Sequence, residues 1–199
     1  MIIGIDFDNT IADYTGVFHH VGVKLGWLPK EVGQTKEDVK AYFINAGNEP
    51  KWTELQGIAY GKEINQAKPY LGCLKTLQQL KAQGHTLKLV SHKTKYPIIG
   101  EKVDFHVAAK YWLSSHQFIQ CNNAPFEGFH LYFKETKTLK VQTIDELNCD
   151  IFIDDLSSVL SDPLFPSRTK KIHFTSSIDA SPTIKSDSWI EIGQIILNM

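Results

Sequence analysis

The chain has 199 residues, 42% of them hydrophobic, and a formal net charge of −1. That is enough apolar material for one core with a small appended domain, without the basic field that binds nucleic acid through bulk charge. The three cysteines, Cys73, Cys121 and Cys149, are odd in number and lack a metal-type spacing such as C-x-x-C. A reduced, cytoplasmic setting is the expectation. No run of about 18 apolar residues is present, and Met1 leads into an apolar strand pattern rather than a signal peptide. A soluble protein with no membrane partner is therefore expected, its oligomeric state left open.

Met1-Ile2-Ile3-Gly4-Ile5 has the composition of a buried parallel strand and runs straight into Asp6, a residue disfavoured inside a strand. A carboxylate at the C-terminal edge of a parallel sheet lies where α/β folds keep their ligands. Asp8 adds a second carboxylate two residues on. Unpaired, the two repel and one holds its proton; a divalent cation or a phosphate-positioning network removes the conflict. The plainer reading of Asp6-Phe7-Asp8-Asn9-Thr10 is a turn with a capping side chain.

Residues 15–68 differ from their flanks. Lys36–Asn45 and Pro50–Asn65 carry mixed polar and aromatic residues at helical spacing, broken by Pro29, Gly33, Gly47 and Pro50. With no strand-like run, this stretch predicts a small helical insertion, leaving 1–14 and 69–199 as the core. Pro69 opens a helix with Leu71, Leu74, Leu77 and Leu80 in steps of three and Gly84 as its stop. Thr86–Val90 predicts a strand ending at Ser91, Val103–Ser115 a helix, and Phe129, Leu131 and Phe133 a short alternating strand. Leu139–Leu147 reads as a helix feeding the strand Cys149-Asp150-Ile151-Phe152-Ile153, which again ends in carboxylates, Asp154 and Asp155. Lys171–Phe174 is a last strand and Trp189–Leu197 a closing helix. Strands alternating with helices imply an α/β protein with a doubly wound parallel sheet. Two strands that each end in acids imply one shared acidic pocket.

With these pieces in order, the chain resembles the haloacid dehalogenase superfamily of phosphotransferases. Asp6-Phe7-Asp8-Asn9-Thr10 looks like its first motif, Ser91 after Leu89-Val90 its second, a lysine ahead of the strand 149–154 its third, and Asp154-Asp155 its fourth. The resemblance covers roughly residues 1–14 and 69–176. It implies a Rossmann-like core and places the insertion where the family carries its smaller helical cap. It also implies Mg2+ held by the Asp6 carboxylate, the Asp8 backbone carbonyl and Asp155, with Asp154 in or near that set. Asn9, Thr10, Ser91, His92 and a lysine would contact the phosphate. The fourth motif departs from the family's Gly-Asp form, and Ser91 is followed by His-Lys rather than small residues.

Residue chemistry agrees with this reading. Transfer from a phosphate ester needs an in-line nucleophile, charge neutralisation on the phosphate oxygens and a proton for the leaving oxygen. Asp6 suits the nucleophile, giving an aspartyl-phosphate that divides one hard displacement into two easier ones. Asp8 suits the acid that protonates the departing alkoxide and the base that then activates water. Mg2+ prefers oxygen ligands with few carboxylates and retained waters. Three lysines compete for the phosphate. Lys140 is favoured because it begins a helix, with Thr138 as its expected cap, where exposed N–H groups already attract anions; Lys137 and Lys134 read as a solvated loop.

Within the superfamily that the chain resembles, an Asp at the position of Asp8 implies phosphate-ester hydrolysis or sugar-phosphate mutation over carbon–halogen cleavage. The expected activity is a phosphatase acting on a small phosphorylated metabolite chosen by the insertion. A phosphosugar mutase is the alternative, and a catalytically silent phosphate-binding protein the third reading. A phospho-receiver domain does not fit, because its acidic pair comes early and its acceptor sits mid-chain. His19, His20, His92 and Lys93 are secondary candidates for ligand contact; His106, His116, His130 and the four tryptophans read as structural.

Overall fold

Along the chain the elements are β1 (Ile2–Ile5), β2 (Ala12–Asp13), α1 (Val17–Lys24), α2 (Lys36–Asn45), α3 (Glu49–Tyr60), β3 (Lys68–Pro69), α4 (Cys73–Ala82) and β4 (Thr86–His92). There follow α5 (Phe105–Ser115), β5 (Leu131–Lys134), α6 (Lys137–Glu146), β6 (Ile151–Asp154), α7 (Ser157–Leu160), β7 (Lys170–Phe174), β8 (Ile184–Ser186) and α8 (Trp189–Leu197). This computed structural model describes residues 1–177 and 183–199. The chain divides into two units: Met1–Ala12, Pro69–Lys93 and Leu113–Met199 form one, and Asp13–Lys68 with Thr94–Trp112 the other. Among the described residues no helix is long and apolar enough to cross a membrane.

The first unit is built on a six-stranded sheet in the order β5-β4-β1-β6-β7-β8, each neighbouring pair parallel. Ile5 lies opposite Leu89 on one side and Ile153 on the other. From β1 the chain builds outward through β4 and β5, then returns to β6 on the opposite flank. The order therefore reverses at the β1–β6 pair, the position where open α/β sheets hold ligands. β6 is buried along its whole length, as a strand covered on both faces must be, which is why it reads as a continuous apolar run. Phe152 packs with Val90, Val141, Ile144, Val159 and Leu160 in one cluster under α6 and α7. Helices α4 and α8 are tied by the Thr76 hydroxyl, which donates to the Trp189 carbonyl at 3.1 Å.

Several boundaries differ from the sequence expectation, each for a local reason. Helix α4 starts at Cys73 rather than Pro69, because Pro69 belongs to a strand and the Tyr70 amide donates to the Ile11 carbonyl. Leu71 is consequently 90% exposed. Helix α6 starts at Lys137, capped by Thr136, whose hydroxyl accepts from the Leu139 amide at 3.1 Å; Thr138, the expected cap, lies inside the first turn. Helix α5 starts at Phe105, after Asp104, whose carboxylate accepts from the amides of His106 and Val107. Phe129 falls in a 3-10 turn before β5 and is exposed. The short elements α1, α7 and β8 have no counterpart in the expectation.

The second unit is helical, comprising α1, α2, α3 and most of α5. Helix α2 begins with a capping box between Thr35 and Asp38. Tyr14, Phe18, Trp52 and Tyr60 stack edge-on or tilted against one another. The Trp112 indole donates to the Ala67 carbonyl at 3.0 Å, which helps to explain why residues 94–112 join this unit and not, as expected, the first.

Candidate active site

Parallel pairing carries the ends of β1, β4 and β6 to one edge of the sheet. Asp6 follows β1, its amide donating to the Ile153 carbonyl at 2.9 Å, so the β1–β6 ladder persists up to the carboxylates. The chain then turns sharply. The Phe7 carbonyl accepts from the amides of Ile11 and Ala12, the Asn9 amide donates to the Ala12 carbonyl, and Asn9 takes a left-handed φ of 57°, a conformation asparagine tolerates. Asp8 and Asn9 remain half-buried in this turn.

Lys140 reaches the same edge from α6. Its side chain is 1% exposed and places Nζ 2.6 Å from Asp6 Oδ1 and 2.6 Å from Asp154 Oδ2. Burial pushes the Asp6 carboxyl up to about 6; the Lys140 ammonium pulls it back and Asp154 adds to the rise. Burial opposes the Lys140 charge, but Asp6 and then Asp154 outweigh it, so its pKa is raised. Lys137 instead bonds the Ser158 carbonyl and lies 3.5 Å from Asp162, and Lys134 ends β5. Of the three lysines only Lys140 meets the acids.

Asp154 Oδ1 accepts from the Leu156 amide at 2.9 Å. Its fully buried Oδ2 has the Lys140 ammonium, at 2.6 Å, as its partner. Asp6, Asp154 and Asp155 each offer a carboxylate oxygen within 4.8 Å of the others. A hard, all-oxygen donor set of this kind suits a divalent cation such as Mg2+. The site's four carboxylates outnumber its two ammonium groups, Lys93 and Lys140, by a charge that a divalent ion would balance.

Other residues fall in different places. Ser91 is buried near the end of β4, in register with Phe133. The Thr10 side chain is fully buried; its hydroxyl accepts from the Asp155 amide at 3.2 Å and its carbonyl from the Trp189 indole at 2.9 Å. Thr10 thus joins the two acidic loops. His92 is exposed at the end of β4. Its neighbour Lys93 is buried and donates to both oxygens of Asp8, at 3.0 and 2.8 Å. Strand alternation carries the signal: Ser91 and Lys93 share one face and His92 the other. His173 also escaped the sequence reading; its Nε2 donates to the Asp155 carbonyl at 2.9 Å. In the helical unit, His19 meets the Lys30 carbonyl and His20 is exposed.

The architecture matches solved hydrolases over its whole length. A predicted phosphatase from Clostridium acetobutylicum superposes with a TM-score of 0.63 at 19% identity, covering 100% of this chain and 98% of that one. A HAD-superfamily hydrolase of subfamily IA from Geobacter sulfurreducens gives 0.58 at 11% identity, covering 98% and 95%. The chain has the haloacid dehalogenase fold. A predicted phosphoglycolate phosphatase from Haemophilus somnus shares that fold at a TM-score of 0.54 and 15% identity, covering 98% and 97%. No protein-family model matches the sequence, and no curated protein does. Within the haloacid dehalogenase fold, the acid pairs at the ends of β1 and β6 occupy its central strand ends.

Proposed function

We propose that the protein is a Mg2+-dependent phosphatase that hydrolyses a small phosphomonoester through a phosphorylated Asp6. The observation that carries this reading is the convergence of Asp6 and Asp154 on the buried Lys140, with Asp155 completing their carboxylate cluster. Asp6, Asp154 and Asp155 would hold the cation, with the Asp8 carbonyl. When bound, it supplies Lewis-acid neutralisation of phosphate charge.

The side chains then divide the work. Asp6 attacks phosphorus, while Lys140 balances charge on the phosphoryl oxygens and Ser91 lies beside them. Asp8 gives its proton to the departing oxygen, then takes one from the water that opens the aspartyl-phosphate. The helical segment 13–68, inserted in the chain between Asp8 and the strand that carries Ser91, is assigned the choice of leaving group.

A panel of phosphorylated metabolites, scored for both released phosphate and isomerised product, tests the proposal. Free phosphate that disappears with EDTA supports it. Isomer without phosphate would replace it with a mutase, and silence across a broad panel in Mg2+ would replace it with a binding protein. Exchanging residues 13–68 for another helical insertion should change which substrates react and leave metal affinity unaltered.

A further inference from the structure

Lys93 combines features that packing alone does not explain. It is 4% exposed, and its amide continues the β4–β5 ladder by donating to the Lys134 carbonyl at 2.9 Å, so its position is fixed by the sheet. Its ammonium bonds both oxygens of Asp8 and lies 5.4 Å from the centre of the buried Phe7 ring. Among the described residues it supplies every hydrogen bond that the Asp8 carboxylate accepts. An ion pair with one partner buried and the other half-buried is a poor source of stability, since apolar residues of similar volume often serve as well or better. A lysine kept in such a place points to a task for the pair.

We infer that Lys93 is the positioning residue for Asp8, holding its carboxyl plane so that one oxygen addresses the leaving group. The inference rests on the phosphatase reading. As the Asp6–phosphorus bond forms and the bond to the leaving alcohol breaks, the proton on Asp8 passes to the departing oxygen. Water then attacks phosphorus and gives its proton to Asp8 as the Asp6–phosphorus bond breaks. Asp8 ends as it began, and in both steps one of its oxygens stays on Lys93 while the other handles the proton. A carboxyl free to rotate would lose this alignment, and with it much of the benefit of proton transfer.

The test exploits the leaving group. A dinitrophenolate departs without a proton, whereas an alkoxide requires one. In single-turnover measurements Lys93→Met should slow phosphorylation of Asp6 about 100-fold with an alkyl phosphate that the wild type turns over, and less than about 3-fold with dinitrophenyl phosphate, since only the later attack of water needs Asp8 for both. Lys93→Arg should restore much of the alkyl activity. Adding Lys93→Met to Asp8→Asn should cost nothing further on the alkyl substrate; this double variant removes both charges, so no unpaired buried acid burdens its folding. Equal losses on both substrates, no loss on either, or an additive loss in the double variant would overturn the role of Lys93 while leaving the phosphatase intact. Failure of the wild type to release phosphate from any ester of the metabolite panel in Mg2+ would instead overturn the phosphatase reading and this inference together.

Discussion

The Lys140 ammonium lies 2.6 Å from the Asp6 carboxylate, and the pair is buried. The same ammonium is 2.6 Å from Asp154, so one cation holds together two acids that would otherwise repel inside the core. Lys140→Met leaves both without a cation. The expected loss is about 3–5 kcal/mol of unfolding free energy at neutral pH, read from urea titrations in EDTA. Excess Mg2+ should return part of that loss, because a bound cation also neutralises the acids; an unchanged midpoint would contradict the pairing.

Gly4 sits in β1 two residues before Asp6, opposite Phe152 on β6. A Cβ there would lie 2.5 Å from Phe152 Cδ2 and 3.0 Å from Cys149 Sγ, closer than atoms can approach. Gly4→Ala should cost about 1–3 kcal/mol through overpacking and lower turnover as β1 shifts Asp6. Adding Phe152→Leu should recover stability in the same denaturation assay; no recovery would place the strain elsewhere.

The sheet and the two acidic strand ends were legible because buried parallel strands are short apolar runs, and an Asp at the end of such a run stands out. From sequence Lys140 reads as the start of a helix. In the structure it lies a turn inside α6, buried against Asp6 and Asp154, a placement only tertiary packing decides. His92 and Lys93 both follow Ser91 in the sequence, and alternation along β4 places Lys93, not His92, on the face of Ser91. Thr10 looked like a ligand residue because its hydroxyl follows the acids; its bond to the Asp155 amide depends on a residue 145 positions away. The extension of the helical unit to 94–112 rests on long-range contacts such as Trp112 to Ala67, which local pattern does not encode.

In the proposed mechanism Asp8 separates metal binding from proton transfer. Its carboxylate is held by Lys93 and lies outside the cluster of Asp6, Asp154 and Asp155. Asp8→Asn should therefore keep Mg2+ affinity, measured by calorimetry, while slowing turnover of an alkyl phosphate about 100-fold or more. Loss of metal affinity in this variant would make the side chain itself a ligand.

Asp6 gives the metal-free protein a pH signature. Burial raises its carboxyl from 3.8 to about 6, so the folded protein holds this proton more tightly than the unfolded chain. The stability it contributes is fully present below about pH 3.8 and is lost as pH rises through about 6, up to about 3 kcal/mol in all. Asp6→Asn removes that slope. The difference in unfolding free energy between wild type and variant in EDTA should therefore shift in favour of the variant between pH 4 and pH 7, over and above any contribution from other carboxyls common to both. Mg2+ must displace the same proton, so its affinity for the wild type should weaken as pH falls below about 6, and binding there should release a proton detectable in buffers of different ionisation enthalpy. A wild-type-minus-variant difference that is flat across this range would show that Asp6 is already ionised when buried, with Lys140 outweighing the cost of its burial.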